Sequence, residues 1–501
     1  MSVINREKLE SLGLSYDEVS KHQAHLKSAT EKAGDNFIPV ADSCTLENGG
    51  IVDLNKVKGL SDISSSGFLG FIPSAGAASR YFQCLRPLEK ALVEGDLSKV
   101  ESELNKLLEE GASKWALPKP IHLALQGGAS YALDKKNDII ESLAHAKALQ
   151  PCVLTGESFL SLKDWEHSKL SGMEAQVFVT PHGKVSDFQG ELPKPSIPCK
   201  FYEQGPDLST IRFNMQAEPY TDSTGAYSVV PAGHGTLVKL FPKVKKDFPK
   251  SHSVLIRNID NVNGTSRDII DQTDLFMKAH QWVLSHLVGI RKALKEDKYN
   301  EASAIAAEVL EQFPKSPKQF SPENYPEELR TLFKLQTELF HFSDGAKVDN
   351  PHELVKTLYK RPFNTMGQVP NSGKDVGGTP VYADISGSKP VICLEVPHAS
   401  PEDKKHFFED SQKATHFNPV FVAAEIVDDV SGYQDNTSPF WILAKKNFAH
   451  TDVMYYETVL YELLGNSIMA NVMFPAIPRN LFNPHKTVKD TENRSMEMWS
   501  K

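Results

Sequence analysis

Five short apolar runs constrain the fold of this chain more than anything else in it. Phe68, Leu69, Phe71 and Ile72 form a continuous run that ends at Pro73. Similar runs follow at 175–180 (AQVFVT), 253–260 (SVLIRNID), 389–396 (KPVICLEV) and 420–427 (VFVAAEIV). Their length and aromatic content favour buried strands over helix fragments. Between them the period changes. Phe276, Ala279, Val283, Leu287, Ile290 and Leu294 step by three and four residues, which lays one apolar stripe along a helix. A second helix at 301–313 is expected to pair with it as a hairpin. Strands alternating with helices imply an α/β sheet with substantial parallel content.

A length of 501 residues exceeds one ordinary core. The patterns divide the chain into a polar, helical N-terminal extension (1–66), an α/β core (67–270), a helical insertion (271–349) and a returning α/β part (350–501). The net charge of −9 argues against a general nucleic-acid binder, which needs a surplus of Lys and Arg. It leaves room for a local basic pocket. Cys44, Cys84, Cys152, Cys199 and Cys393 are scattered without CxxC spacing, so neither a zinc site nor a disulfide framework is expected. The N-terminal MSVINREKLESLGL lacks an apolar signal core, and no run approaches the ~18 residues of a membrane span. A cytoplasmic, reduced setting is expected, with no membrane partner.

The most informative stretch is FIPSAGAASRYF, residues 71–82. A strand leads into six small residues, Ser74, Ala75, Gly76, Ala77, Ala78 and Ser79, and then into Arg80 and a helical pattern. Small side chains let backbone N–H groups approach a phosphate chain. A following helix N-terminus adds its dipole, and Arg80 a charge-assisted fork. A tight turn that merely avoids crowding would use the same residues. The stretch is neither GxxxxGK[ST] nor a clean GxGxxG. Pro87 cannot donate to Gln83, so a new helix is expected to start near Arg86 and Pro87.

This stretch resembles the N-terminal signature of the sugar nucleotidyltransferase, or pyrophosphorylase, superfamily. The chain from about 67 to 490 is more closely similar to a bacterial family named for its domain of unknown function, DUF4301. The resemblance runs in order through PSAGAASRYF, LPKP, VVPAGHGTL, IRNIDNV, THFNPV and LFNPHKTVKD. It implies a Rossmann-like nucleotidyltransferase fold of the GT-A type, a mixed sheet flanked by helices.

The resemblance also implies roles. Lys119 in the first LPKP is the candidate triphosphate lysine, with Lys194 in the second as its rival. Gln204, or Glu203 beside it, is placed to read a uracil, with Gly233, His234 and Gly235 packing on base and sugar. His234 stands where the enzymes have Asn. Asp260 is the metal-binding aspartate, at a strand end where α/β folds bind ligands, and one carboxylate suffices for Mg²⁺ or Mn²⁺ beside phosphate oxygens. Lys486 corresponds to a lysine that contacts substrate phosphate, with Lys489 behind it and Arg479 and His485 adding charge. Asn466 and Asn471 are candidates to face the pocket, and the Gly-rich 367–382 is expected either to cover it as a loop or to form a mobile hairpin connection. Taken one at a time, a solvated lysine, a Gly-rich turn, a strand-end cap and a basic tail account for the same residues.

The expected activity is transfer of a nucleotidyl group, uridylyl by resemblance, from a nucleoside triphosphate to a phosphorylated sugar with release of pyrophosphate. Alternatives are a nucleotide-sugar-dependent glycosyltransferase, though Asn258-Ile259-Asp260 replaces an Asp-x-Asp, and a catalytically silent nucleotide or sugar-phosphate binder.

Overall fold

The computed structural model describes residues 4–31, 37–76, 80–155, 158–169, 173–189, 197–264, 266–343, 349–373, 377–385, 387–409, 413–434, 442–448 and 451–492. All five apolar runs form strands: Phe68–Pro73, Ala175–Pro181, Ser253–Arg257, Val391–Glu395 and Phe421–Glu425. The run at 253–260 stops early because Asn258 turns the chain, its side chain accepting the Asp260 N–H at 3.4 Å. The chain divides into two compact units.

The first unit comprises Met1–Leu69, Gln204–Ile256 and Gln272–Arg479. Four strands of the mixed sheet lie in it in the order Asn471–Met473, Phe363–Met366, Phe421–Glu425 and Ser253–Arg257. Phe363–Met366 pairs parallel with Asn471–Met473 and antiparallel with Phe421–Glu425. The helix Arg267–Lys295 turns its predicted stripe inward, and Phe276 packs edge-on against Phe421 with ring centroids 4.8 Å apart. From that helix the fully buried His280 pins two strands, meeting Ser253 Oγ at 3.0 Å and Thr365 Oγ1 at 2.9 Å.

The N-terminal region is more than helical. The helices Arg6–Ser11 and Tyr16–Glu31 bury Leu9, Leu14, Val19 and Leu26 against Ile211, Phe213 and Met454. After them Val40–Ser43 forms an edge strand on Gly378–Ala383, whose other neighbour is Val391–Glu395. The run at 389–396 therefore belongs to a small separate sheet. The Gly-rich 367–382, read as a covering loop, supplies that sheet's central strand. A Cβ on Gly378 would stand 2.7 Å from Cys393 Sγ, so packing demands the glycine.

The second unit comprises Gly70–Glu203, Arg257–Asp271 and Asn480–Lys501. It carries the strand Ala175–Pro181 and the greater part of its two neighbours, Phe68–Pro73 on one side and Cys199–Gln204 on the other. The helices Arg86–Glu94, Leu97–Glu109, Lys119–Asp134 and Lys136–Ala144 close around Trp115, Phe82 and Leu85, and Val488 of the C-terminal segment joins their core. No α-helix opens at Arg80. A turn and the 3₁₀ segment Gln83–Leu85 intervene, and the helix begins at Arg86 with Pro87 in its first turn, where a missing N–H costs nothing. The helix dipole expected behind the small-residue loop is therefore absent. Among the described residues no helix is long and apolar enough to cross a membrane.

Candidate functional site

Within the second unit, the end of the strand Phe68–Pro73 leads into the loop. Ser74 is fully buried, and its N–H and hydroxyl both donate to the Val179 carbonyl, at 2.9 and 2.7 Å. Its donors are thus committed to the neighbouring strand, which leaves Ala75 and Gly76 as the loop's described free edge. Gly76 is exposed, and a Cβ there would meet nothing within 4 Å. Among the described residues nothing plugs the space in front of Gly76. Ala77 and Ser79 lie outside the described residues.

One residue ties this loop to the other segments of the site. Lys147, at the start of the 3₁₀ turn Lys147–Leu149, donates its backbone N–H to the Gly76 carbonyl at 3.0 Å. Its ammonium donates to Asp260 Oδ2 at 2.6 Å and to the His485 carbonyl at 2.7 Å, and stands 5.1 Å from the Tyr81 ring centroid. Asp260 is held from the other side by main chain. The His485 N–H donates to the Asp260 carbonyl at 2.7 Å, and the Asn483 and Val262 main chains bond the two segments further along. The turn after the strand and the segment 481–486 are thereby zipped together.

The electrostatics around this knot are lopsided. Burial lowers the Lys147 ammonium's pKa; the Asp260 carboxylate pulls it back up, and the charges of Lys486 and Arg80 push it down again. Lys147 thus pairs with the Asp260 carboxylate within the field of two further cations, Lys486 and Arg80, an excess of positive charge suited to anionic oxygens. The Asp260 side chain is only 11% exposed, and its Oδ1 is buried with no hydrogen-bond partner among the described residues. A buried, unsatisfied carboxylate oxygen is uncommon in folded proteins and is the donor type that hard divalent cations take. The described residues hold no cluster of three or more metal-ligating side chains. Asp260 therefore fits a cation that draws its remaining ligands from phosphate and water. His485, expected to add charge, is instead fully buried, and neither ring nitrogen has a hydrogen-bond partner among the described residues.

The remaining candidates are placed otherwise. Lys119 is exposed at the first position of the helix Lys119–Asp134, and Lys194 lies outside the described residues. Lys489 is paired with Glu110 at 2.8 Å. Gln204, Gly233, His234, Gly235 and Arg479 belong to the first unit. There Gly233 takes φ +89°, a Cβ on it would stand 2.3 Å from the Thr458 carbonyl oxygen, and the Gly235 N–H donates to that oxygen at 2.8 Å. The close approach these glycines permit is made by Thr458 of the chain itself. His234 meets the Tyr461 ring edge-on, and burial pushes its imidazole down to about 4. Glu203 bonds His182 at 2.9 Å. Asn471 is buried and donates to the Leu358 carbonyl at 3.1 Å, and Asn466 is fully buried beside Ile392, so both serve the core.

The structure thus gathers Gly76, Arg80, Asp260 and Lys486, all proposed from sequence, around Lys147, which sequence reasoning missed. Lys147 lies in AHAKALQ (144–150), where no glycine, proline or motif marks it.

The sequence profile of the domain of unknown function DUF4301 matches residues 167–494, and the chain belongs to this family. The small-residue loop precedes the matched span. No curated protein matches the chain. Among solved structures, one described as a UDP-glucose phosphorylase from Trypanosoma brucei is similar over 97% of this chain and 76% of its own, at 12% identity and a TM-score of 0.50. A mutant Leishmania major UDP-glucose pyrophosphorylase in complex with UDP-glucose is similar over 97% and 78%, at 10% identity and a TM-score of 0.48. The first likeness establishes the nucleotidyltransferase fold, a mixed α/β sheet with flanking helices.

Proposed function

We propose that this chain is a cytoplasmic nucleotidyltransferase that moves a nucleotidyl group, uridylyl by preference, from a nucleoside triphosphate onto a sugar phosphate, releasing pyrophosphate. The observation that carries the proposal is the meeting of the Gly76 loop, Arg80, Asp260 and Lys486 around Lys147. In the reaction an oxygen of the sugar phosphate bonds to the α-phosphorus while the bond from that phosphorus to the pyrophosphate oxygen breaks. Both partners are anions, so the protein has to offset repulsion and align them, and no covalent intermediate is required. Arg80 grips the triphosphate, the open edge at Gly76 admits it close to the main chain, and Lys486 holds the incoming phosphate. Asp260 would hold Mg²⁺ or Mn²⁺, which would supply charge neutralisation to the reacting phosphates. The likeness to UDP-glucose pyrophosphorylases supports uridine and a sugar phosphate as the substrate class.

The test is pyrophosphate release from UTP, ATP, GTP and CTP against a panel of sugar phosphates. Release from at least one pair is expected, and none from any pair refutes the enzyme. A catalytically silent binder is the second reading, favoured by the packing of Gly233 and Gly235 on Thr458. It predicts triphosphate binding without pyrophosphate release. A glycosyltransferase instead consumes nucleotide sugar and releases no pyrophosphate.

A further inference from the structure

We propose that Lys147 is a resident counter-cation on Asp260 which a divalent cation must displace, and that the displaced ammonium then pairs with the phosphates of the bound nucleotide. This rests on the reading of Asp260 given above and adds a residue and an order of events to it. Only one oxygen of the carboxylate is occupied. Lys147 holds Oδ2 at 2.6 Å, while Oδ1 is buried and unpartnered among the described residues. A dication on Oδ1 would face an ammonium across one carboxyl group, and like charges so close in a partly desolvated site repel strongly. The weaker charge leaves.

What Lys147 can do next is set by its surroundings. Its main chain is fixed to the Gly76 carbonyl, so the side chain swings from a root beside the small-residue loop. Besides Asp260, the charged groups acting on it among the described residues are Lys486 and Arg80, both cations. The displaced ammonium therefore finds its anionic partner on a ligand. A lysine suits this exchange better than an arginine, being a compact charge on a flexible stem and not a fixed two-pronged fork. Loading of metal and of triphosphate are coupled as a result: the metal frees the ammonium, and the phosphates keep it from returning.

The test uses the full-length protein and Mn²⁺ alone, with free Mn²⁺ counted by electron paramagnetic resonance at pH 8. Wild type is expected to bind Mn²⁺ weakly, and Asp260→Asn not at all. Lys147→Met should bind about tenfold more tightly than wild type, since no charge-assisted hydrogen bond has to be broken first. In parallel, mass spectrometry follows reductive methylation of Lys147 in the wild type. Labelling should rise when Mn²⁺ is added and fall again with UTP, and this measurement decides the matter if Lys147→Met fails to fold. Equal Mn²⁺ affinity in wild type and Lys147→Met, or labelling indifferent to Mn²⁺, overturns the exchange while the Asp260 site stands. Mn²⁺ binding that survives Asp260→Asn overturns the site itself, and the exchange with it.

Discussion

Truncating Lys147 to alanine should loosen the junction of the 258–263 turn with the C-terminal segment by an amount the geometry sets. The substitution removes bonds of 2.6 Å to Asp260 and 2.7 Å to the His485 carbonyl, and strands a carboxylate whose side chain is 11% exposed. Breaking a buried ion pair from one side costs ~3–5 kcal/mol. The partial exposure of Lys147 and Asp260, 14% and 11%, puts this pair near the lower end, at ~3 kcal/mol. Global unfolding is a poor gauge because a chain of two compact units need not melt in one step. The better probe is hydrogen exchange at the His485 amide, which donates to the Asp260 carbonyl. Its protection should fall on the order of a hundredfold in Lys147→Ala. In Lys147→Ala/Asp260→Ala both members of the pair are gone, so the double variant should lose at least ~2 kcal/mol less than the sum of the single ones. Protection unchanged in Lys147→Ala, or strict additivity in the double variant, would refute this account of the pair.

Other expectations follow from single residues. Asp260→Asn should abolish metal-dependent pyrophosphate release and leave the circular dichroism spectrum intact; undiminished turnover would put the cation elsewhere. Ser74→Ala should cost ~1 kcal/mol of stability by removing the bond to Val179, with triphosphate affinity unchanged, and a large affinity loss would mean that this hydroxyl faces ligand. Gly233→Ala should destabilise by at least ~2 kcal/mol, because φ is +89° and the added Cβ falls 2.3 Å from the Thr458 oxygen; an unaltered melting temperature contradicts this. Burial pushes His280 from its ordinary 6.5 down to about 3, so on acidification the unfolded chain takes the proton first. The stability His280 contributes is complete above pH 6.5 and is lost as the pH falls toward 3, at ~1.4 kcal/mol per pH unit. Urea titrations at pH 7 and pH 5 should show a pH dependence that is shallower in His280→Gln than in wild type by about that slope; identical slopes would contradict it.

The strands were legible because a strand buried on both faces is mostly apolar, and 68–72, 175–180 and 420–427 are, with Gln176, Thr180 and Glu425 as their few polar positions. The run at 389–396 looked the same in sequence yet joins another sheet, since its partner Gly378–Ala383 lies in a Gly-rich stretch that gives no strand signal. Pro87 announced its own helix start. The glycines at 233 and 235 signalled a close approach but not its object, because φ and crowding look alike whether the neighbour is a ligand or Thr458. Asp260 and Lys486 were visible through the family resemblance. Lys147 was not, because its role arises from a bond to a residue 113 positions away and from nothing in its own neighbourhood.

The central claim, that the Gly76 loop, Arg80 and the Asp260 turn hold one nucleoside triphosphate, is tested most directly by calorimetric titration of the full-length protein with UTP and Mg²⁺. Binding is predicted in wild type and a loss of at least tenfold in affinity in Arg80→Ala, the cost of one charge-assisted contact. Failure of UTP, ATP, GTP and CTP alike to bind wild type, or equal UTP affinity in the Arg80→Ala variant, would contradict it.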